Sequence, residues 1–286
     1  MVYRATNDIK KDIKDGYMSS IGYAESNDGI HFKRHQQPLI IADQDYESGL
    51  GCEDARVIKI NDTYFLYYTA VQGYGISKKV RIALATSKNF VTWTKHGIIG
   101  PSTRSKAATL FPQKINDRYV LFYTWMADTP LSSIMQVQYN SIDEVVHPSK
   151  NLMADSIDHY EDTVVFRPPV NVFRGAEVGA PPIKTKDGWL FVYCNANVSD
   201  HKEWTISAAL LDLEDPRKIL AHTKEPILKP ETELEVTGVV NNVTFPSGAV
   251  IVNDELYVYY GSGDQGCCLA TCKVEELLAS MTKRTL

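Results

Sequence analysis

Glu53, Asp54 and Arg56 set two adjacent carboxylates and a guanidinium within Gly51-Cys52-Glu53-Asp54-Ala55-Arg56, directly ahead of the apolar pair Val57-Ile58. Carboxyl groups are common carriers of acid–base catalysis, and neighbouring charges decide which of two stays ionised. A strand through this segment sends Glu53 and Asp54 to opposite faces, because side chains alternate. One can then face a pocket while the other pairs with Arg56. The same residues also suit a surface turn with a local ion pair. The elements around them decide between the two.

Those elements are aromatic, β-branched strand pairs around polar turns. Val57-Ile58-Lys59-Ile60 meets Tyr64-Phe65-Leu66-Tyr67-Tyr68 around Asn61-Asp62, and Gln113-Lys114-Ile115 meets Tyr119 to Tyr123 around Asn116-Asp117. Pro182-Ile183-Lys184 meets Trp189 to Tyr193 around Lys186-Asp187-Gly188, and Ala249 to Val252 meets Leu256 to Tyr260 around Asn253-Asp254. Asn-Asp and Asp-Gly between such runs are hairpin signals. A small-residue strand follows, and its spacing repeats: Ala24 to Ala85 is 61 residues, Ala85 to Ala209 is 124, and Ala209 to Ala270 is 61. The skipped copy falls near Met135 to Tyr139.

Five units of short strands predict an all-β, five-bladed propeller rather than a sandwich. It is expected to form one catalytic domain over residues 1–286, with a first blade that can be incomplete at its start and a short helix over Val274 to Met281. Inner strands of a propeller converge on a central depression. Asp54, Glu177, Glu235 and Asp264 stand at near-equivalent points of successive units. Four carboxyl groups on one funnel raise each other's pKa, which is costly for stability alone but suits a polyhydroxylated ligand.

Composition narrows the partners. The 286 residues carry 30 Lys and Arg against 35 Asp and Glu, a net charge of −5 without a basic block. Nucleic acid and anionic membrane are therefore poor partners, and no apolar run reaches the length of a membrane span. Five cysteines form no regular framework, and no spacing asks for a metal or another cofactor. Without an apolar leader after Met1, a cytoplasmic location is expected for the chain as given, though a longer exported precursor stays compatible with it. A homo-oligomer is equally compatible.

The motifs together resemble glycoside hydrolase family 130, whose members cleave or phosphorolyse β-mannosides. The resemblance runs from Tyr3-Arg4-Ala5 through the Gly51–Arg56 motif, Leu110-Phe111-Pro112, Gly179-Ala180-Pro181-Pro182 and Val243 to Gly248, ending at Tyr259 to Asp264. It implies Asp54 as general acid, protonating the glycosidic oxygen through a mannose hydroxyl. It also implies Arg4, Arg56 and Asp264 as contacts of the reacting sugar, with Arg56 steadying Glu53 and Asp54. The family's phosphorylases carry phosphate-binding cations where this chain has Tyr123-Thr124-Trp125, Cys194 and Gly175. Glu177 stands where they have glycine. That exchange suits an inverting hydrolase acting on β-1,2-linked manno-oligosaccharides, with Glu177, or Glu235 in reserve, as the base that activates water. A phosphate-dependent β-mannoside phosphorylase, drawing cations from Arg104, Lys106, Arg174 or His201, and a non-catalytic glycan-binding propeller are the alternatives.

Overall fold

The computed structural model describes residues 1–7, 17–167, 174–197 and 202–283. These are mostly strand, in four hydrogen-bonded sheets, none of which closes on itself among the described residues. The first sheet runs in the order Val2–Thr6, Ser19–Glu25, Gly51–Ile60, Thr63–Gln72, Lys79–Ser87, Thr94–Ile98. A single parallel pair, Ser19 opposite Gly51, joins its first two strands to the rest. The second sheet is Val164–Phe166, Ser133–Tyr139, Tyr119–Trp125, Ser105–Leu110. The third centres on Trp189–Asn197 and Glu203–Leu211, flanked by Arg174–Glu177 and Ile219–His222, and the fourth is Thr244–Val252, Glu255–Ser262, Gly266–Lys273.

The expected hairpins form because their turn residues accept left-handed backbone. Asn116 and Asp117 lie at φ 48° and 61°, and Asn253 and Asp254 at 50° and 63°. Two-residue hairpin turns of the type that matches strand twist need a positive φ at both positions. One expected pairing moves. Tyr119–Trp125 pairs with Ser105–Leu110, and Gln113-Lys114-Ile115 supplies only an isolated bridge from Ile115 to Arg118. Pro112 has no N–H to give a ladder, so the strand ends before it.

The middle strands divide their side chains between two interfaces. Leu121 and Tyr123 pack toward Phe65, Tyr67 and Leu84 of the first sheet, while Val120 and Phe122 pack toward Trp189 and Phe191 of the third. Leu190 and Val192 turn the other way, onto Leu256, Val258 and Tyr260. The fourth sheet in turn meets the chain's first segment, where Tyr259 OH donates to Gly29 O at 2.8 Å and its ring stands edge-on to Phe32. Period-two alternation thus fills both faces of every inner layer.

Helix is scarce. Val274–Ser280 forms as expected, with Leu277 in the core. Lys150–Asp158 was not expected. Its apolar stripe is thin, with only Met153 and Ser156 buried, but Ser149 caps it and Ser156 Oγ meets the Tyr123 hydroxyl at 2.7 Å.

Candidate active site

A β-bulge builds the first half of the site. Glu53 pairs with Thr69 and Arg56 with Tyr67, so Asp54 and Ala55 together face one residue on the neighbouring strand. Asp54 takes φ 48° to accommodate the extra residue. Gly51 lets the strand approach closely enough: at φ 87°, a Cβ there would lie 2.3 Å from Ser19 O. The bulge cancels the alternation. Glu53 and Asp54 do not part to opposite faces, as a regular strand would require; both turn toward Arg4.

Arg4 is the hub of this half. Its Nη2 donates to Glu53 Oε1 at 2.9 Å and to the Tyr17 hydroxyl, and its Nε donates to Ser19 Oγ at 3.1 Å. Its Nη1 stands 3.8 Å from Asp54 Oδ1 and 3.9 Å from Asp264 Oδ2. Asp264 arrives from the turn after Glu255–Ser262, also at positive φ. Burial pushes Glu53 up to about 7, with Asp54 adding to the rise and Arg4 opposing it. Burial likewise raises Asp264 above the usual carboxylate range, again against Arg4.

Arg56 does not hold the carboxylates, contrary to expectation. It is 1% exposed and donates to four carbonyls: Nε to Gly179 at 3.0 Å, Nη1 to Asp54 at 2.7 Å, and Nη2 to Val178 at 3.0 Å and Pro246 at 3.3 Å. It therefore fixes the backbone of the bulge and ties it to two distant segments. Phe245 separates Arg56 from a second cation, with Arg56 Cζ 5.3 Å and Lys106 Nζ 5.4 Å from its ring centroid.

Lys106 anchors the second half, beside another bulge in which Ala107 takes φ 48°. Its ammonium lies 2.7 Å from Asp128 Oδ1 and 3.5 Å from Glu177 Oε2, and Arg104 pairs with the other Asp128 oxygen. Burial works against the Lys106 charge, yet Asp128 and Glu177 hold its pKa well above the ordinary value. Asp128 is held far below the usual range despite burial, by Lys106 and Arg104. Glu177 is 0% exposed, accepts the Asp128 N–H at 3.0 Å, and is pushed up by burial. It does not lie at the surface. Both halves interact: Lys106 feels Asp54, and Asp264 feels Lys106 and Asp128.

Glu235 does not join them. Its Oε2 accepts the N–H groups of Glu231 and Thr232, and its Oε1 accepts the Tyr260 hydroxyl at 2.7 Å. Burial alone would raise it, but these donors hold it below its ordinary value. It caps Glu233–Val236. Glu47 does the same work elsewhere, accepting from Asp43 N, Gln44 N and the Tyr68 hydroxyl. Among sequence candidates, Arg4, Glu53, Asp54, Asp264, Glu177, Lys106 and Arg104 come together; His201 lies outside the described residues, as does the Arg174 side chain. Asp128, Tyr17 and Phe245 escaped the sequence reading. An acidic residue in Met126-Ala127-Asp128-Thr129-Pro130, just past an aromatic strand, was the available signal for the first of these. No cluster of His, Cys, Asp and Glu suited to a metal occurs among the described residues, and no helix there is long and apolar enough to cross a membrane.

The model of glycoside hydrolase family 130, described as β-1,4-mannooligosaccharide phosphorylase, matches residues 1–283. The chain is 36% identical over 282 residues to a 1,2-β-oligomannan phosphorylase of Thermoanaerobacter sp. (strain X514), covering 97% of this chain and 86% of the relative. It is 33% identical over 266 residues to a β-1,2-mannobiose phosphorylase of Listeria innocua, covering 92% and 69%. The solved structure of β-1,2-mannobiose phosphorylase from Listeria innocua, complexed with β-1,2-mannobiose, superposes with TM-score 0.75 at 30% identity, over 92% of this chain and 69% of that one.

These relatives overturn the expectation of an inverting hydrolase, since they are phosphorylases. The hydrolase expectation rested on missing cations and on Glu177 as a base for water. Lys106 and Arg104 bring two cations to Asp128 from another strand and its flank, and Glu177 lies buried beside them with Oε1 bonded to a backbone N–H. Thr124 Oγ1 accepts the Val178 N–H instead of facing a ligand.

Proposed function

The chain belongs to glycoside hydrolase family 130, and from that premise we propose that it is an inorganic-phosphate-dependent β-mannoside phosphorylase acting on β-1,2-linked manno-oligosaccharides. The observation that carries the reading is the convergence of Lys106 and Arg104 on Asp128, beside the Arg4, Asp54 and Asp264 cluster. Two cations next to a carboxyl trio give one place for a phosphate and one for a sugar. Similarity to the 1,2-β-oligomannan and β-1,2-mannobiose phosphorylases supports the linkage.

In this reading Arg4 and Asp264 hold the hydroxyls of the reacting mannose. Asp54 gives its proton to the glycosidic oxygen, through a sugar hydroxyl, as the C1–O bond breaks. A phosphate oxygen held by Lys106 and Arg104 forms the new bond to C1 from the opposite face. A single displacement inverts the centre, so a β-mannoside yields α-mannose 1-phosphate and an oligosaccharide shorter by one residue. Asp54 is reprotonated from solvent or from the phosphate.

We also read the four sheets as a five-bladed propeller forming one catalytic unit, the first sheet contributing two blades. Its support is the single bridge that splits the first sheet, the alternation of core residues between neighbours, and the contact of Tyr259 with Gly29 and Phe32. One assay tests the activity: β-1,2-mannobiose is incubated with and without phosphate. Mannose 1-phosphate formed only with phosphate is the expected result. Free mannose at equal rates in both would sink the proposal.

A further inference from the structure

Glu177 occupies a place its surroundings make costly. Its side chain is wholly buried, Oε1 accepts one N–H, and among the described residues Oε2 has no hydrogen-bond donor, with Lys106 Nζ standing off at 3.5 Å. A buried carboxylate oxygen without a donor is expensive to keep ionised. What tolerates it here is a share in Lys106, whose closer partner is Asp128 at 2.7 Å.

Among the described residues, the charged and titratable groups facing Glu177 come from several segments. Lys106 stands on Ser105–Leu110, and Asp128, backed by Arg104, lies beyond Tyr119–Trp125. Asp54 and Arg56 belong to the bulged strand, and Cys194 is the cross-strand neighbour. Arg56 spends its donors on carbonyls, and the Cys194 thiol is pushed well above its ordinary value by burial, so it stays neutral. Lys106 is thus the cation Glu177 leans on. A phosphate entering between Lys106 and Arg104 draws Lys106 onto itself and brings negative charge toward Oε2.

Resting on the phosphorylase reading above, we propose that Glu177 takes part in phosphate binding as a neutral acid: one proton is taken up as phosphate engages Lys106, and Oε2–H then donates to a phosphate oxygen. The proton comes from solvent, or from monoanionic phosphate, which thereby becomes the dianion. No covalent bond to carbon or phosphorus changes in this step. The donorless oxygen becomes the donor, and the buried carboxyl group becomes compatible with an anionic ligand. Burial, which already pushes Glu177 upward, favours the same protonation state.

Calorimetry of inorganic phosphate binding to the full chain near pH 8, in buffers of different ionisation enthalpy, counts the protons exchanged. The wild type is expected to take up about one proton per phosphate, and Glu177→Gln, whose amide already offers a neutral donor, about none. The phosphate KM of the wild type should climb roughly tenfold per pH unit above neutrality, and that of Glu177→Gln should stay nearly flat. Because the variant can fail to fold, the 31P shift of phosphate bound to the wild type gives a second reading. A dianion shift together with proton uptake places the proton on the protein, as expected. No uptake by the wild type, uptake undiminished in Glu177→Gln, or a monoanion shift for the bound phosphate each overturns the proposal. Failure of the phosphorylase reading looks different: no phosphate binding and no mannose 1-phosphate at any pH, which removes this proposal with it.

Discussion

Replacing Arg56 by methionine, a side chain of similar length without donors, should unfold the site and weaken the whole molecule. Arg56 gives four hydrogen bonds, at 2.7, 3.0, 3.0 and 3.3 Å, to carbonyls of three separate segments. Bonds from a charged donor are worth roughly 1.5–3 kcal/mol each, so a simple sum gives about 6–12 kcal/mol. Methionine recovers the desolvation cost of a buried guanidinium, which is several kcal/mol. The net loss should be about 3–5 kcal/mol, the range seen when one side of a buried charged network is removed. At about 2–4 °C per kcal/mol for a chain approaching this size, the thermal midpoint should fall by roughly 6–20 °C. Arg56→Lys keeps the charge but not the planar fork, so it should fall between the two. The measurement is a thermal unfolding curve for all three proteins. An Arg56→Met midpoint within about 2 °C of wild type would refute the account of Arg56 as the tie between segments.

Asp54→Asn keeps shape but cannot donate a proton, so phosphorolysis of natural substrates should fall by roughly two to four orders of magnitude; a near-normal rate in a folded variant would remove Asp54 from the acid role. Glu53 gives a pH signature. Burial raises it from 4.5 to about 7, so its contribution to stability is full below 4.5 and is lost as pH rises toward 7. The unfolding free energy of wild type relative to Glu53→Gln should therefore fall across that window by about 2 kcal/mol after a discount for solvent screening; parallel stability–pH curves would contradict the raised pKa. Glu235→Gln should lower stability by about 1–2 kcal/mol, as loss of a helix cap does, while leaving the rate nearly unchanged. A rate loss at unchanged stability would return Glu235 to the chemistry.

The layered strands were legible because local physics dictates them. Asn-Asp turns force tight hairpins, and runs such as Val120 to Tyr123 and Trp189 to Tyr193 show aromatic and aliphatic residues on both faces. The site was legible as a set of residues but not as a geometry. One bulge, set by a positive φ at Asp54, reversed the expected facing of Glu53 and Asp54. Arg56 looked like a partner for its neighbours' carboxylates, yet three of its four acceptors are carbonyls at Val178, Gly179 and Pro246, far along the chain. Glu235 could have been read better, since Thr232 followed three residues later by Glu235 is a capping-box signature. Lys106 and Arg104 could be named from the sequence as cations, but their convergence on Asp128 could not, because Asp128 lies beyond the next strand.

Among the described residues, no shared hydrophobic core joins the last sheet to the first segment. Tyr259 reaches Gly29 and Phe32 there, and across the same join Arg4 looks onto Asp264 at 3.9 Å. Inner layers share their cores with two neighbours, so opening one exposes two apolar faces, whereas parting at this join exposes less. Under the proposed function, a sugar gripped by Arg4 on one side and Asp264 on the other would act as a clasp between the first strand and the last sheet. Substrate would then do more than fill a site: part of its binding energy would hold these two segments together.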